Sequence, residues 1–243
     1  MLNFSAMTRW NTPTMYNGLE MLQGGDRLAI KVNKQETRDF MPQMGPIVGR
    51  ALTVVIEPGN RKHTEVHPTA WREYREYVAE GDYPKIIVVQ DLDGEPIGSF
   101  WGEVNSGIHL ALGCVGTITD GAIRDLDEMS AVGFKALAKR LCVGHCYSHP
   151  VKWNCPVSVF GCDIRPGQLI HADKHGFLVI PESAEECILE AAEFMDRNEC
   201  TTVIPASRNT TGKTRDEILK AINEAASLFD ANASAKFGAS GEW

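Results

Sequence analysis

The sequence predicts an α/β protein, with a mixed sheet or two layered sheets covered by helices. Two observations lead there. Between Ile47 and Leu141, short runs rich in β-branched residues alternate with stretches of helical apolar spacing, several of them closed by glycine. After Leu141 the pattern is mainly strand, until two segments with N-terminal capping signals finish the chain.

Taken in order, the first helix is expected to start at Thr12-Pro13 and stop at Gly24-Gly25. Thr12 can cap, and proline suits the first helical position because its missing N–H would be unpaired there. The run Ile47 to Gly59 reads as a strand closed by a turn. Pro68 to Val78 places Trp71, Tyr74 and Val78 on one helical face, with Gly81 beyond the end. Lys85 to Asp91 is a short apolar run suited to a buried strand, and Leu92-Asp93-Gly94 supplies a turn. Glu103 to Leu112 suggests a helix stopped by Gly113, and Val115 to Gly121 another strand, which Asp120-Gly121 would end. Leu126 to Val132 reads as a short helix closed by Gly133. Strand patterns recur at 134–141, 156–160, 168–172 and 177–180.

Ser183 to Glu186 and Thr214 to Glu217 both fit a capping box, in which hydroxyl and carboxylate satisfy each other's free amides. After Thr214, Ile218, Leu219, Ile222, Ala225, Ala226 and Phe229 share one helical face. The tail from Ala231 to Trp243 is small and polar, and is expected to fray. No repeat and no low-complexity linker is visible. The expectation is one compact domain over residues 1–198 with a helical C-terminal extension over 199–243.

The 243 residues suffice for one large core or two small ones. With 24 Lys+Arg against 32 Asp+Glu the formal charge is −8. An acidic chain without a basic block is a poor candidate for nonspecific nucleic-acid binding, although net charge leaves a local basic patch open. No window approaches the ~18 apolar residues of a membrane span, and the N-terminus lacks a signal-peptide core, so the expected location is the cytoplasm. The cysteines number seven, so complete internal pairing is impossible, and thiols are expected.

The stretch from Trp101 to Glu128 carries the chemistry. Glu103 opens a helix, and Arg124-Asp125 follows a strand closely, with Asp127 and Glu128 behind. In α/β sheets ligands bind outside the carboxyl ends of the strands, so both features could face one crevice. Mg²⁺ or Mn²⁺ takes oxygen ligands and keeps several waters, so one or two carboxylates suffice, here Asp125 and Glu103. The fork of Arg124 suits a carboxylate or a developing enolate. First-turn amides around Val104 and Asn105 could hold a substrate carboxylate. The same residues also fit a plain surface ion pair beside a helix cap.

Several blocks carry a family resemblance. Glu103, twenty residues, Arg124-Asp125 and an acidic residue three beyond Asp125 resemble the signature of the RraA-like family. So do MGPIVGRALTV (44–54), GCVGTITDGAIRD (113–125) and DIRPGQLIHADKHGFLVIP (163–181), in the right order. The resemblance runs over roughly 12–198 and takes in class II 4-hydroxy-4-methyl-2-oxoglutarate/4-carboxy-4-hydroxy-2-oxoadipate aldolases. It implies a layered swivelling β/β/α fold, assembled as homotrimers or homohexamers. It further implies that Asp125 ligates the metal, Glu103 holds metal-bound water, and Arg124 binds the oxo acid. Val104 and Asn105 would bind the substrate carboxylate through their amides. The implied function is metal-dependent cleavage of 4-hydroxy-2-oxo acids to pyruvate, or decarboxylation of oxaloacetate, through one enolate. Gln168 departs from the family's usual Asp in its PGD turn.

Two alternatives stand beside this reading. One is the family's non-enzymatic branch, which binds an RNA-processing endonuclease and in which the Asp after the Arg is replaced; the other is a same-fold enzyme for a different small acid. Gly113-Cys-Val-Gly116 lacks the third glycine of a nucleotide loop. Cys142, His145, Cys146, His149 and Cys155 could bind zinc, although their order matches no common arrangement; His145 or His149 lining a substrate pocket is the stronger expectation. Asp91 and Asp93 could add metal ligands, but Asp93-Gly94 is also a common turn pair. His171, Asp173 and His175 are expected to form a polar turn.

Overall fold

The computed structural model describes residues 2–239. In chain order the elements are α1 (Phe4–Met7), α2 (Thr12–Leu22), β1 (Lys31–Val32), β2 (Arg38–Asp39), β3 (Ile47–Ile56), α3 (Lys62–Val66), α4 (Ala70–Ala79) and β4 (Lys85–Asp91). Then come β5 (Ser99–Trp101), α5 (Glu103–Ala111), β6 (Cys114–Ile123), α6 (Leu126–Val132), β7 (Lys135–Leu141), β8 (Pro150–Trp153), β9 (Val157–Val159) and β10 (Cys162–Ile164). The chain continues through β11 (Leu169–Asp173), β12 (Gly176–Ile180), α7 (Ile188–Thr201), α8 (Val203–Arg208) and α9 (Arg215–Phe237).

By packing, these residues form two units. The first holds residues 1–12 and 31–182, the second 13–30 and 183–243. Residue 198, where the sequence suggested a boundary, lies within α7.

The first unit is built on a ten-stranded mixed sheet ordered β1-β12-β11-β3-β4-β6-β7-β2, with β5 beside β6 and β8 beside β3. The centre, β3-β4-β6-β7, is parallel. Central parallel strands are covered on both faces, which is why β4 reads as an unbroken apolar run rather than an alternation. Ile86 and Val88 face a core shared with Val157, Val159 and Ile164 of the β9–β10 hairpin. Ile87 and Val89 face the other core, with Tyr74 and Val78 of α4 and Met129 of α6. The layers are thus hairpin, main sheet and helices.

The second unit is helical. Met21 of α2, Met195 of α7 and Phe229 and Ala233 of α9 share a small core. A Cβ on Gly18 would lie 2.5 Å from the Ala192 nitrogen, so α2 and α7 approach at backbone contact there. Asn17 donates to Glu199 along the same seam at 2.9 Å.

Four expectations change. The Asp120-Gly121 pair does not end its strand. β6 continues to Ile123, because β5 pairs with Ala122 and Ile123 past a bulge. Ser183 opens no capping box. Residues 182–184 form a 3-10 turn that buries Ala184, and α7 starts only at Ile188. The tail from 231 is helical to Phe237, held by Phe194 against Phe237 and by Lys236 on Glu190 at 2.5 Å; residues 240–243 of that expectation lie outside the described residues. His171 belongs to no turn: it is buried in β11, paired at 2.9 Å with the Thr12 hydroxyl that was expected to cap α2. The Thr214–Glu217 capping box is present on both sides.

Candidate active site

Two neighbouring parallel strands build the site. β5 and β6 pair side by side, so their carboxyl ends come out together. The chain leaving β5 turns at Gly102 into α5, and the chain leaving β6 delivers Arg124 and Asp125. The Arg124 amide donates to the Trp101 carbonyl at 3.1 Å, continuing the pairing by one residue.

Asp125 takes a left-handed backbone conformation, with φ of 55°. Such a conformation is costly for a non-glycine residue. It turns the carboxylate away from α6, which it does not cap, and towards the start of α5. There Asp125 Oδ2 accepts the Glu103 amide at 3.2 Å and faces Arg124 Nε at 3.5 Å. Gly102 is dictated by this approach, since a Cβ at that position would lie 2.5 Å from the same oxygen. Arg124 Nη1 also donates to the Val143 carbonyl at 3.3 Å, so the guanidinium is steered from two sides.

The amides of Val104 and Asn105 fall in the first turn of α5, ahead of the first helical bond, from the Ser106 amide to the Gly102 carbonyl. That end of a helix favours anions. Beneath it, Asn105 Nδ2 donates to the Phe100 carbonyl at 2.9 Å. Among the described residues, Asn105 Oδ1 and Ser106 Oγ are buried without a partner. His109 of the same helix is fully buried and donates through Nδ1 to the Asn105 carbonyl, while Nε2 accepts the Tyr74 hydroxyl. Burial pushes its pKa down to about 4, so it is a neutral strut of α5.

Glu103, Val104, Asn105, Arg124 and Asp125 thus line one cavity of about 320 Å³. Its other walls include Trp71, Arg75, Phe100, His145 and Ser148. Trp71 stacks on Phe100 with ring centroids 5.1 Å apart, and the Arg75 guanidinium lies 5.3 Å from the centre of the Trp71 ring. The sequence pattern placed Trp71 only on the apolar face of a helix with Tyr74 and Val78, and did not single out Arg75. Their spacing of four along α4 was the available signal, because residues so spaced share a helix face. His145 donates through Nδ1 to the Cys146 carbonyl at 2.8 Å, so in the neutral ring Nε2 is the acceptor.

The other candidates separate. His149 is buried and bonds the His67 carbonyl through Nε2 at 3.0 Å. Cys155 is buried in the hairpin core. Among the described residues no group of three or more His, Cys, Asp or Glu is arranged to hold a metal, so the 142–155 residues do not converge as a zinc site. Asp91, Asp93 and Asp120 line a separate cavity of about 560 Å³ with Arg38 and Lys139. There, burial first and neighbouring carboxylates second push Asp91 up to about 7, and burial pushes Asp120 up to about 6. A further cavity of about 390 Å³ in the helical unit has Arg197 and Lys236 among its walls but no carboxylate.

At the Arg124 cavity the donor chemistry fits a hard divalent cation. Two carboxylates, Asp125 and Glu103, stand at its wall, and of the buried partnerless atoms beside them Asn105 Oδ1 and Ser148 Oγ are oxygens, while Trp101 Nε1 is a donor. Such a cation keeps most of its waters and needs few protein ligands.

The fold and this site define a class. The chain belongs to the RraA-like family, described as Aldolase/RraA, whose pattern it matches over residues 21–179. Among curated relatives it is 26% identical over 174 residues to protein DlpA of Legionella pneumophila, covering 70% of this chain but only 27% of DlpA. It is 31% identical over 161 residues to a Halalkalibacterium halodurans protein provisionally named 4-hydroxy-4-methyl-2-oxoglutarate aldolase, covering 58% of this chain and 71% of that one. An uncharacterised Pseudomonas syringae protein shares the fold with a TM-score of 0.67 at 21% identity, over 89% of this chain and 92% of that one. So does RraAS2 of Streptomyces coelicolor, described as an unusual member of the RNase ES inhibitor RraA family, with a TM-score of 0.63 at 21% identity over 82% and 92%. Among the described residues no helix is long and apolar enough to cross a membrane.

Proposed function

We propose that this chain is a divalent-metal-dependent lyase that cleaves 4-hydroxy-2-oxo acids to pyruvate and decarboxylates oxaloacetate. The observation that carries the reading is the convergence of the Asp125 carboxylate, the Arg124 guanidinium and the first turn of α5 on one cavity. Asp125 would hold Mg²⁺ or Mn²⁺, with Glu103 reaching it through water. When bound, such a cation supplies Lewis-acid polarisation of the 2-oxo group.

The protein's own groups do the rest. The amides of Val104 and Asn105 receive the C1 carboxylate and fix the substrate's direction. Arg124 donates to the 2-oxo oxygen, where negative charge grows as the bond between C3 and C4 breaks. Donors aimed at developing charge, in a site that excludes water, are the main source of rate in such steps. In cleavage the C4 hydroxyl gives up its proton and becomes the carbonyl of the departing fragment. In decarboxylation carbon dioxide departs instead, leaving the same enolate. Protonation at C3 then yields pyruvate. Glu103 and His145 are the cavity groups able to exchange these protons. The ring of Trp71 and the charge of Arg75 suit the distal part of an acidic substrate.

The test is pyruvate release from oxaloacetate, measured with EDTA, with added Mg²⁺ or Mn²⁺, and in Asp125→Ala. Metal-stimulated turnover well above that of free metal is expected, and loss of it in the variant with an unchanged melting temperature. Turnover in Asp125→Ala equal to that of the parent chain would end the proposal. No turnover in the parent chain would favour the endonuclease-binding reading instead.

A further inference from the structure

Cys142 and Cys146 take no part in the chemistry proposed above, yet their thiols share one acceptor. Both sulfurs donate to the Ile97 carbonyl, each at 3.1 Å. The two sulfurs are therefore no further apart than twice that distance. Only Val143, Gly144 and His145 separate the two residues, and Gly144 leaves that span free to bend. Cys142 is half-buried and Cys146 exposed, so both can be reached by a small reagent. Cys146 is held at φ of 46°, a left-handed conformation that costs a non-glycine residue free energy.

The loop they bracket is part of the candidate site. Val143 supplies the carbonyl that steers Arg124, and His145 is a wall of the cavity. The loop also lies flat on the chain leading into β5. The Gly144 carbonyl accepts the Ser99 amide at 2.9 Å, and a Cβ on Gly98 would meet the His145 carbonyl at 2.6 Å. A movement at Cys146 therefore cannot be absorbed locally.

We propose that Cys142 and Cys146 are a redox modification site, closing to a reversible disulfide with hydrogen peroxide as the oxidant and thereby lowering turnover at the Arg124 site. The lowered turnover rests on the lyase reading; the bond does not. In the first step the Cys146 thiolate attacks one peroxide oxygen, the O–O bond breaks, and a sulfenic acid and water result. The Cys142 thiol then attacks that sulfur, losing its proton as the sulfenic oxygen leaves in a second water. Two thiols and one peroxide become one disulfide and two waters. Both S–H bonds to Ile97 are lost in the process, and the loop must draw in on itself. The Val143 carbonyl and the His145 ring move with it, so Arg124 loses one of its two constraints. An exposed bridge across so short a loop belongs to the readily reduced kind.

The tryptic peptide Leu141–Lys152 contains both cysteines and no other. The purified full chain is exposed to hydrogen peroxide, alkylated, digested and weighed, and metal-dependent pyruvate release is assayed in parallel. The expected result is a peptide lighter by two hydrogens and resistant to alkylation, with a several-fold loss of turnover, both reversed by dithiothreitol. Cys142→Ser and Cys146→Ser are each expected to keep basal turnover and to lose the reversible response. A peptide that stays fully alkylated, or that passes to sulfinic acid in the parent chain, overturns the proposal. A bridged peptide with undiminished turnover overturns its regulatory half. Absence of turnover in both redox states tells against the lyase reading, while a bridged peptide would still establish the modification site.

Discussion

Asp91 ends β4 with one carboxylate oxygen accepting the Asp93 amide at 2.9 Å and the other buried without a partner among the described residues. Burial first, then the Asp93 and Asp120 charges, lifts its pKa from 3.8 to about 7. The folded state therefore holds a proton that the unfolded chain has already released. Any stability this gives is full below pH 4 and is lost as pH rises towards 7, where the ionised group must sit desolvated. Asp91→Asn keeps the Oδ1 acceptor and removes the titration. The variant is expected to unfold at a higher urea midpoint than the parent at pH 8, with the difference shrinking or reversing at pH 4; a pH-independent difference would refute this. Gln168 stands where the family resemblance leads one to expect Asp. Its Oε1 accepts the Arg165 amide at 2.8 Å and closes the turn in which it stands.

Among elements, α4 and α5 end on one side chain. The fully buried Lys85 ammonium donates to the Val78 carbonyl at 2.9 Å and the Leu112 carbonyl at 3.0 Å, capping both helices with a positive charge where their dipoles favour one. Lys85→Met would leave two buried carbonyls unpaired, and a loss of about 3 kcal/mol is expected in urea unfolding at pH 7. Nothing in the sequence marked this lysine, because its role depends on where two helices end in space. The elements around it were legible. Gly81, Gly113 and Gly133 punctuate the pattern and all take positive φ, and the central strands announce themselves as apolar runs. The short strands β1, β2, β5, β8 and β10 were not legible. They have two to four residues each, too few for any periodicity, and exist because a neighbouring strand offers a free edge. The site divides in the same way. Glu103, Arg124 and Asp125 sit in one continuous block of sequence, whereas Arg75 joins them only because α4 turns that face towards β5.

For the molecule as a whole, the feature no pattern could announce is that its helical unit is assembled from two distant stretches, 13–30 and 183–243. The joint between them depends on Gly18. Gly18→Ala would place a methyl group 2.5 Å from the Ala192 nitrogen, and a destabilisation of about 2 kcal/mol is expected, read as a lowered melting temperature. An unchanged melting temperature would mean that α2 and α7 part more easily than their contact suggests. The arrangement also has a history within each newly made molecule. In translation α2 emerges ahead of the sheet, while α7 and α9 follow only after the whole sheet has been made. At roughly 5–20 residues per second that interval is on the order of ten seconds. For that time Met21, which packs with Met195 and Phe229 in the finished protein, has no partner helix to cover it. The nascent chain thus carries a small apolar helix ahead of its folding sheet, where a ribosome-associated chaperone would meet it first.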